Sequence, residues 1–396
     1  MKKRTRLVVP VVAVCTAALL TIGSRAQDSA EAFISRIEAA QVPDRQGYDG
    51  LTLAQLMERF RVPGVSIAVI KDFQIHWTKQ YGVADVTNNA PLNAETLFQA
   101  ASISKPVTAV AAARLKQQGV IDFDTDVNTY LKSWKVPETE FTRGRPVTLR
   151  ALFSHTSGTG DGFGFPGYHP DAPRPTVPQI LNGEKPSNVG KVLWERAPFT
   201  AQKYSGGGTT IVQLALTEKT GKPFPDLLRE LVLEPFGMAS SAFEQPLSPA
   251  RDKNATRAHN GRGAAMDAKW HVYPELAAAG LWTTPTDLAK LGIEVQKALQ
   301  GRSKLLTREA ALELVAPVGT GPFAVGFSVE RRGEGWYFMH GGGNWGFACN
   351  LLLHRLKGYG FAIMTNADSG GAVMRELEAR IAAAYGWDSL DKPVPR

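Results

Sequence analysis

The 396-residue chain is 43% hydrophobic and 21% charged, an ordinary globular composition on a length that supports a large core. Its formal charge of +8 falls to +3 without the N-terminal Lys2, Lys3, Arg4, Arg6 and Arg25, a stretch that holds no acid. The other basic residues are scattered rather than gathered in a stripe, which argues against a nucleic-acid partner.

A basic start, an apolar run from Leu7 to Ile22 and small residues at Ser24 and Ala26 have the layout of a cleaved secretory signal over residues 1–26. The run contains Pro10 and is short for a membrane span, so the expectation is export to the periplasm or medium with no stable membrane anchor. Cys15 leaves with the leader, and Val14 before it is a poor lipidation context. Cys349 then stands alone in an apolar strand-like run, buried rather than reactive, and no disulfide can form within the chain.

Periodicity predicts a helix from Asp28 to Gln41 with Asp28 and Glu31 as a capping pair, and a second from Leu53 to Phe60. Val65 to Ile70 and Phe73 to Tyr81 read as a hairpin joined by Lys71-Asp72. The middle reads as helices from Ser102 to Gln118, Thr209 to Thr220 and Phe224 to Leu233, with another opening at Thr284-Pro285. A Gly/Pro-dense stretch from Thr156 to Pro178 is long enough to border a site. Strands are expected over Phe323–Glu330, Trp336–His340, Phe347–His354 and Tyr359–Thr365, followed by a helix from about Gly371 to Tyr385. This pattern is α/β: an antiparallel sheet built from both termini, flanked by helices, with a mainly helical part inserted. The expected boundaries are a catalytic unit over 27–396, its α/β part at about 27–100 and 275–396 and its helical part at about 101–274.

Three segments carry chemistry. In Ser102-Ile103-Ser104-Lys105 the first and fourth residues share a helix face, so a serine hydroxyl and a lysine amine can meet near the positive end of the helix. A serine is a weak nucleophile until a neighbouring base takes its proton, and a lysine kept from water can be that base. The same four residues equally describe a helix cap followed by a solvated lysine. Tyr204-Ser205-Gly206, in a loop before Gly207-Gly208, offers a phenol that is either a proton carrier or a buried hydroxyl. His340-Gly341-Gly342-Gly343 ends one strand, and its glycines either let a substrate lie along the strand edge or form a turn.

Together, and in this order, these segments resemble the serine β-lactamase and penicillin-binding superfamily, in particular the class C-like branch that also holds D-alanyl-D-alanine carboxypeptidases and β-lactamase-like esterases. The resemblance also rests on Val62-Pro63-Gly64-Val65, Phe98-Gln99-Ala100-Ala101 before Ser102, Leu152-Phe153-Ser154-His155-Thr156-Ser157-Gly158, Glu234-Pro235-Phe236-Gly237-Met238 and Ala279-Gly280-Leu281, and it covers nearly all of the chain after the leader. It implies an exported hydrolase in which Ser102 is acylated, Lys105 is its proton partner and Tyr204 the general base. It further implies that the N–H groups of Ser102 and Gly343 form the oxyanion hole. His340, Gly341, Gly342 and Gly206 would line the substrate. Two positions depart from the family pattern. Gly206 stands where an amide-binding Asn is usual, and His340 where a carboxylate-binding Lys is usual. A neutral His holds a carboxylate poorly and an imidazolium, formed near ~6.5, holds it better.

The implied substrates are β-lactams, D-amino-acid peptides, peptidoglycan-derived fragments included, or small esters; no cofactor and no metal is implied. Two alternatives remain: a penicillin-binding cell-wall sensor that acylates without efficient turnover, and an inactive scaffold of the same fold. Ala367-Asp368-Ser369-Gly370-Gly371 imitates a nucleophile elbow, but no His follows His354, so Ser369 or Asp368 is read as a helix cap. His155 is read as part of a structural turn, and no histidine pair has zincin spacing.

Overall fold

The computed structural model describes residues 29–41, 48–160, 164–333 and 335–387. The leader expected over 1–26 lies outside them, as do residues 161–163 of the Gly/Pro-dense stretch. Nine strands are described: β1 (Gly64–Lys71), β2 (Gln74–Asp85), β3 (Ala90–Pro91), β4 (Phe98–Gln99), β5 (Trp282–Thr283), β6 (Ser328–Arg332), β7 (Gly335–Asn344), β8 (Phe347–His354) and β9 (Gly360–Thr365). Seven of them form one antiparallel sheet in the order β3-β2-β1-β9-β8-β7-β6, while β4 and β5 pair separately. The N-terminal hairpin thus joins the C-terminal meander through β1 and β9, and the described residues between β4 and β5 add no strand to the large sheet.

β1 is covered on both faces, which explains its nearly continuous apolar sequence. Val65, Ile67 and Val69 join a cluster with Ile37, Leu53, Leu377 and Ile381. Ala68 and Ile70 face the larger core that includes Leu288, Leu291 and the helical middle. One sheet face is therefore packed by the helices Ala30–Glu38, Leu53–Phe60 and Gly370–Tyr385, the other by Pro285–Leu299. Arg380 of the last helix, 1% exposed, donates to the carbonyls of Ala39 at 3.1 Å and Leu51 at 2.6 Å and ties the two termini together.

Several limits differ from the sequence reading. The first helix is capped by Ser29, whose hydroxyl accepts the Ala32 N–H. The hairpin turn is Asp72-Phe73, both at positive φ, the twist that suits a two-residue loop. Phe73 tolerates that conformation because its N–H reaches the Gly358 carbonyl at 2.8 Å and its ring lies under Arg302. Phe323 precedes β6 in a loop, and Arg308–Val315 is a helix that apolar periodicity did not announce. Phe224–Leu228 is α-helical, with a π turn over Arg229–Leu233.

Candidate active site

Ser102 sits in a 3-10 turn, Ala101–Ile103, that feeds the helix Ser104–Gln117. In such a turn residues three apart eclipse, so Ser102 and Lys105 line up more closely than on an α-helix face. The turn is entered from the small sheet, with Ala100 N–H on the Leu281 carbonyl at 2.9 Å. Ala101 holds a left-handed conformation, φ 48°, a strained geometry for a residue with a Cβ. Ser104 stabilises it: its hydroxyl donates to the Ala101 carbonyl at 2.6 Å and accepts the Leu281 N–H at 3.0 Å.

Lys105 is 3% exposed. Its Nζ donates to Ser102 Oγ and to the Ala278 carbonyl, each at 3.0 Å. Tyr204 arrives from the loop before the helix Gly206–Thr220, and its hydroxyl donates to Ser102 Oγ, also at 3.0 Å. Lys105 Nζ lies 5.0 Å from the Tyr204 ring centroid. One serine oxygen is thus held between an amine and a phenol, the proton relay an acyl transfer needs. The glycines after Tyr204 are not loop: Gly206, Gly207 and Gly208 form the first helical turn, with Ser205 as the cap accepting the Gly208 N–H at 2.7 Å.

β6 pairs with β7 only as far as Met339, so the edge of β7 from His340 onward is open to the 3-10 turn. A Cβ on Gly342 would overlap the Ala100 carbonyl oxygen and the Cys349 sulfur and stand 3.1 Å from the Ala101 methyl, so this close approach requires glycine. At Gly343 a Cβ would meet nothing within 4 Å, which leaves open space next to the nucleophile turn. Asn344 anchors the strand end, donating to Gln99 Oε1 at 2.8 Å and the Ala279 carbonyl at 3.1 Å. Cys349 is buried, its thiol on the Ala100 carbonyl at 2.9 Å and its pKa raised by burial.

The family model described as Beta-lactamase matches residues 51–386. The chain belongs to the β-lactamase family. The human mitochondrial serine β-lactamase-like protein is 37% identical over 107 residues, 27% of this chain and 19% of its own, so the chain spans about a fifth of that relative. Among solved structures, the octameric penicillin-binding protein homologue from Pyrococcus abyssi is 20% identical with a TM-score of 0.69, covering 85% of this chain and 76% of its own. The D-amino acid amidase from Ochrobactrum anthropi SV3, in complex with L-phenylalanine amide, is 21% identical with a TM-score of 0.68, covering 89% of this chain and 99% of its own. These structures share the serine β-lactamase and penicillin-binding fold, and the family is one of serine hydrolases.

Within this β-lactamase-family site, His340 departs from expectation. It is 5% exposed, its Nδ1 bonds the Gly341 carbonyl at 2.6 Å, and burial with Lys105 nearby pushes its pKa down to about 3. The charging near ~6.5 expected from the sequence does not occur, because a buried imidazolium beside an ammonium is disfavoured twice. With Nδ1 carrying the proton toward Gly341, Nε2 is a buried acceptor with no hydrogen-bond partner among the described residues. His340 lies 6.3 Å from the Tyr204 ring and 6.0 Å from Phe323, centroid to centroid.

Two residues beside Tyr204 were read from the sequence in other roles, His155 as part of a structural turn and Phe323 as the start of a strand. Phe323 and His155 both pack on its ring, at 5.8 and 4.2 Å. Ser369 stands at the start of the last helix but makes no cap bond, while Asp368 accepts the Gly346 N–H at 2.9 Å. Among the described residues no group of three or more His, Cys, Asp or Glu could hold a metal ion, and no helix is long and apolar enough to cross a membrane.

Proposed function

We propose that this protein is an exported serine acyl hydrolase working through an acyl-enzyme on Ser102. The observation that carries the reading is Ser102 Oγ held 3.0 Å from both Lys105 Nζ and the Tyr204 hydroxyl. Oγ attacks the substrate carbonyl carbon while its proton passes to the Lys105–Tyr204 pair, which reacts in the form with one proton fewer than ammonium plus phenol. The N–H groups of Ser102 and Gly343 take the developing oxyanion, donors worth ~3 kcal/mol each. The bond to the leaving group breaks and the pair returns the proton to it; water then attacks the acyl carbon, gives its proton to the pair, and Ser102 recovers it. Export rests on the leader pattern over 1–26.

The neutral His340 narrows the substrate. β-Lactams and D-amino-acid peptides present a carboxylate near the position it occupies, and an uncharged acceptor repels rather than holds one. Small esters and amides without that carboxylate fit better. Intact-mass analysis with p-nitrophenyl butyrate and, separately, benzylpenicillin tests this. The expected result is a transient adduct on Ser102 with rapid turnover of the ester, little or none of the penicillin, and no adduct in Ser102→Ala. A stable penicillin adduct without ester turnover would favour a sensor, and an adduct persisting in Ser102→Ala would end the proposal.

A further inference from the structure

His155 touches neither Ser102 nor Lys105, yet the residues on either side of Tyr204 hang from it. The Lys203 N–H donates to the His155 carbonyl at 2.8 Å, and the Ser205 N–H donates to His155 Nδ1 at 3.1 Å. Between those two bonds the imidazole packs against the phenol ring, centroids 4.2 Å apart and planes tilted 36°, with Phe323 edge-on to the imidazole at 4.7 Å. Backbone position and ring orientation of Tyr204 are therefore set by one residue, through its carbonyl and its ring.

His155 is itself rigid. It follows the helix Leu149–Phe153 at φ 59°, the left-handed region in which His and Asn are the side chains best tolerated after Gly. The next residues bind the same loop, with the Phe199 N–H on the Thr156 carbonyl at 2.7 Å and the Glu195 N–H on the Gly158 carbonyl at 2.9 Å. Because Nδ1 accepts, the ring must be neutral with its proton on Nε2. Burial, with Lys105 and His340 nearby, holds its pKa well below the usual imidazole value. An imidazolium would carry a hydrogen on Nδ1 and break the bond to Ser205.

We infer that His155 is a positioning residue for the reaction: its Nδ1 acceptor and ring face hold the Tyr204 hydroxyl on Ser102 Oγ. This rests on the reading of Ser102 as nucleophile and Tyr204 as its base. A residue serving only the turn and the core would affect stability alone. The test compares His155→Asn, whose Oδ1 replaces Nδ1 and which accepts a left-handed backbone, with His155→Gly, which relaxes the backbone but removes the acceptor. His155→Gln, whose amide reaches the Nε2 position instead, completes the set. Rates of Ser102 labelling by a fluorophosphonate and kcat and KM for p-nitrophenyl butyrate are read on variants whose melting curves show a folded protein. Gly and Gln should lose about 100-fold in kcat and labelling with KM little changed, the scale of a misplaced catalytic group, while Asn stays within about threefold of the parent. Parent-like kcat in Gly, or Asn as slow as Gln, would overturn the inference while leaving the nucleophile in place. Failure of the parent itself to label at Ser102 would remove the functional reading and this inference together. If Gly does not fold, the Asn and Gln pair decides.

Discussion

At Ser102 the oxygen receives two hydrogen bonds of equal length from groups that differ in what they can do next. Lys105 is tied a second time, to the Ala278 carbonyl, and approaches from the helix below. Tyr204 comes from a separate loop, and its ring packs among Lys105, His155, Phe323 and His340. In the proposed mechanism the phenol, held in place by His155, carries the proton between Oγ and the leaving group. Tyr204→Phe keeps the ring packing and deletes only the hydroxyl. It should slow acylation and deacylation by roughly two to four orders of magnitude, as general acid–base loss does, with the melting temperature nearly unchanged. Burst and steady-state rates with an activated ester check this, and full activity in the variant would make Lys105 the sole base.

In the proposed mechanism β7 supplies one oxyanion donor, the Gly343 N–H, and the close approach of this strand to the Ser102 turn depends on Gly342. A methyl there collides with the Ala100 carbonyl and Cys349, so Gly342→Ala must push the strand off the nucleophile turn. Overpacking of this kind costs about 1–3 kcal/mol of stability. Because the displaced strand carries Gly343, kcat should fall by about 100-fold. Gly343→Ala, at a position with free space, serves as the comparison, and equal kinetics for the two would refute the argument. Much of this element pattern was legible in the sequence because its signals are local. Thr52 and Thr284 cap the helices they precede, and Gly221 closes the helix it follows. The run at Phe323 misled because Ala324, Val325 and Phe327 enter the main core from a loop, and the helix Arg308–Val315 buries only Ala311, Leu314 and Val315, a weak apolar stripe. Pairing of His155 with the Tyr204 loop is tertiary, and nothing within either segment encodes it.

On the scale of the whole molecule, building one sheet from both ends of the chain and packing helices on both of its faces takes titratable groups out of water, and these set its response to pH. Glu275 is fully buried, neither carboxylate oxygen bonds a described residue, and burial lifts its pKa to about 8. Folded protein keeps a proton that the unfolded chain releases from pH ~4.5 upward, so stability falls as pH rises toward 8. Half-buried Glu378, its pKa raised by desolvation despite Arg332 beside it, acts in the same direction. His340, at about 3, runs the other way: the unfolded chain takes up a proton below ~6.5 that the folded one refuses, so stability falls with falling pH. His155 and His259, both lowered by burial, add to that acid arm. The two arms meet near pH ~6.5, where maximal stability is expected. Glu275→Gln keeps the side-chain shape and abolishes its titration, so it should raise the melting temperature at pH 8.5 and leave it nearly unchanged at pH 5. At ~1.4 kcal/mol per pKa unit the alkaline gain is on the order of several kcal/mol. Melting curves of the parent and the variant from pH 4 to 9 should therefore separate progressively from about pH 5 upward and stay farthest apart above pH 8; curves that run parallel throughout would mean that Glu275 is ionised in the folded protein and that its charge is compensated there.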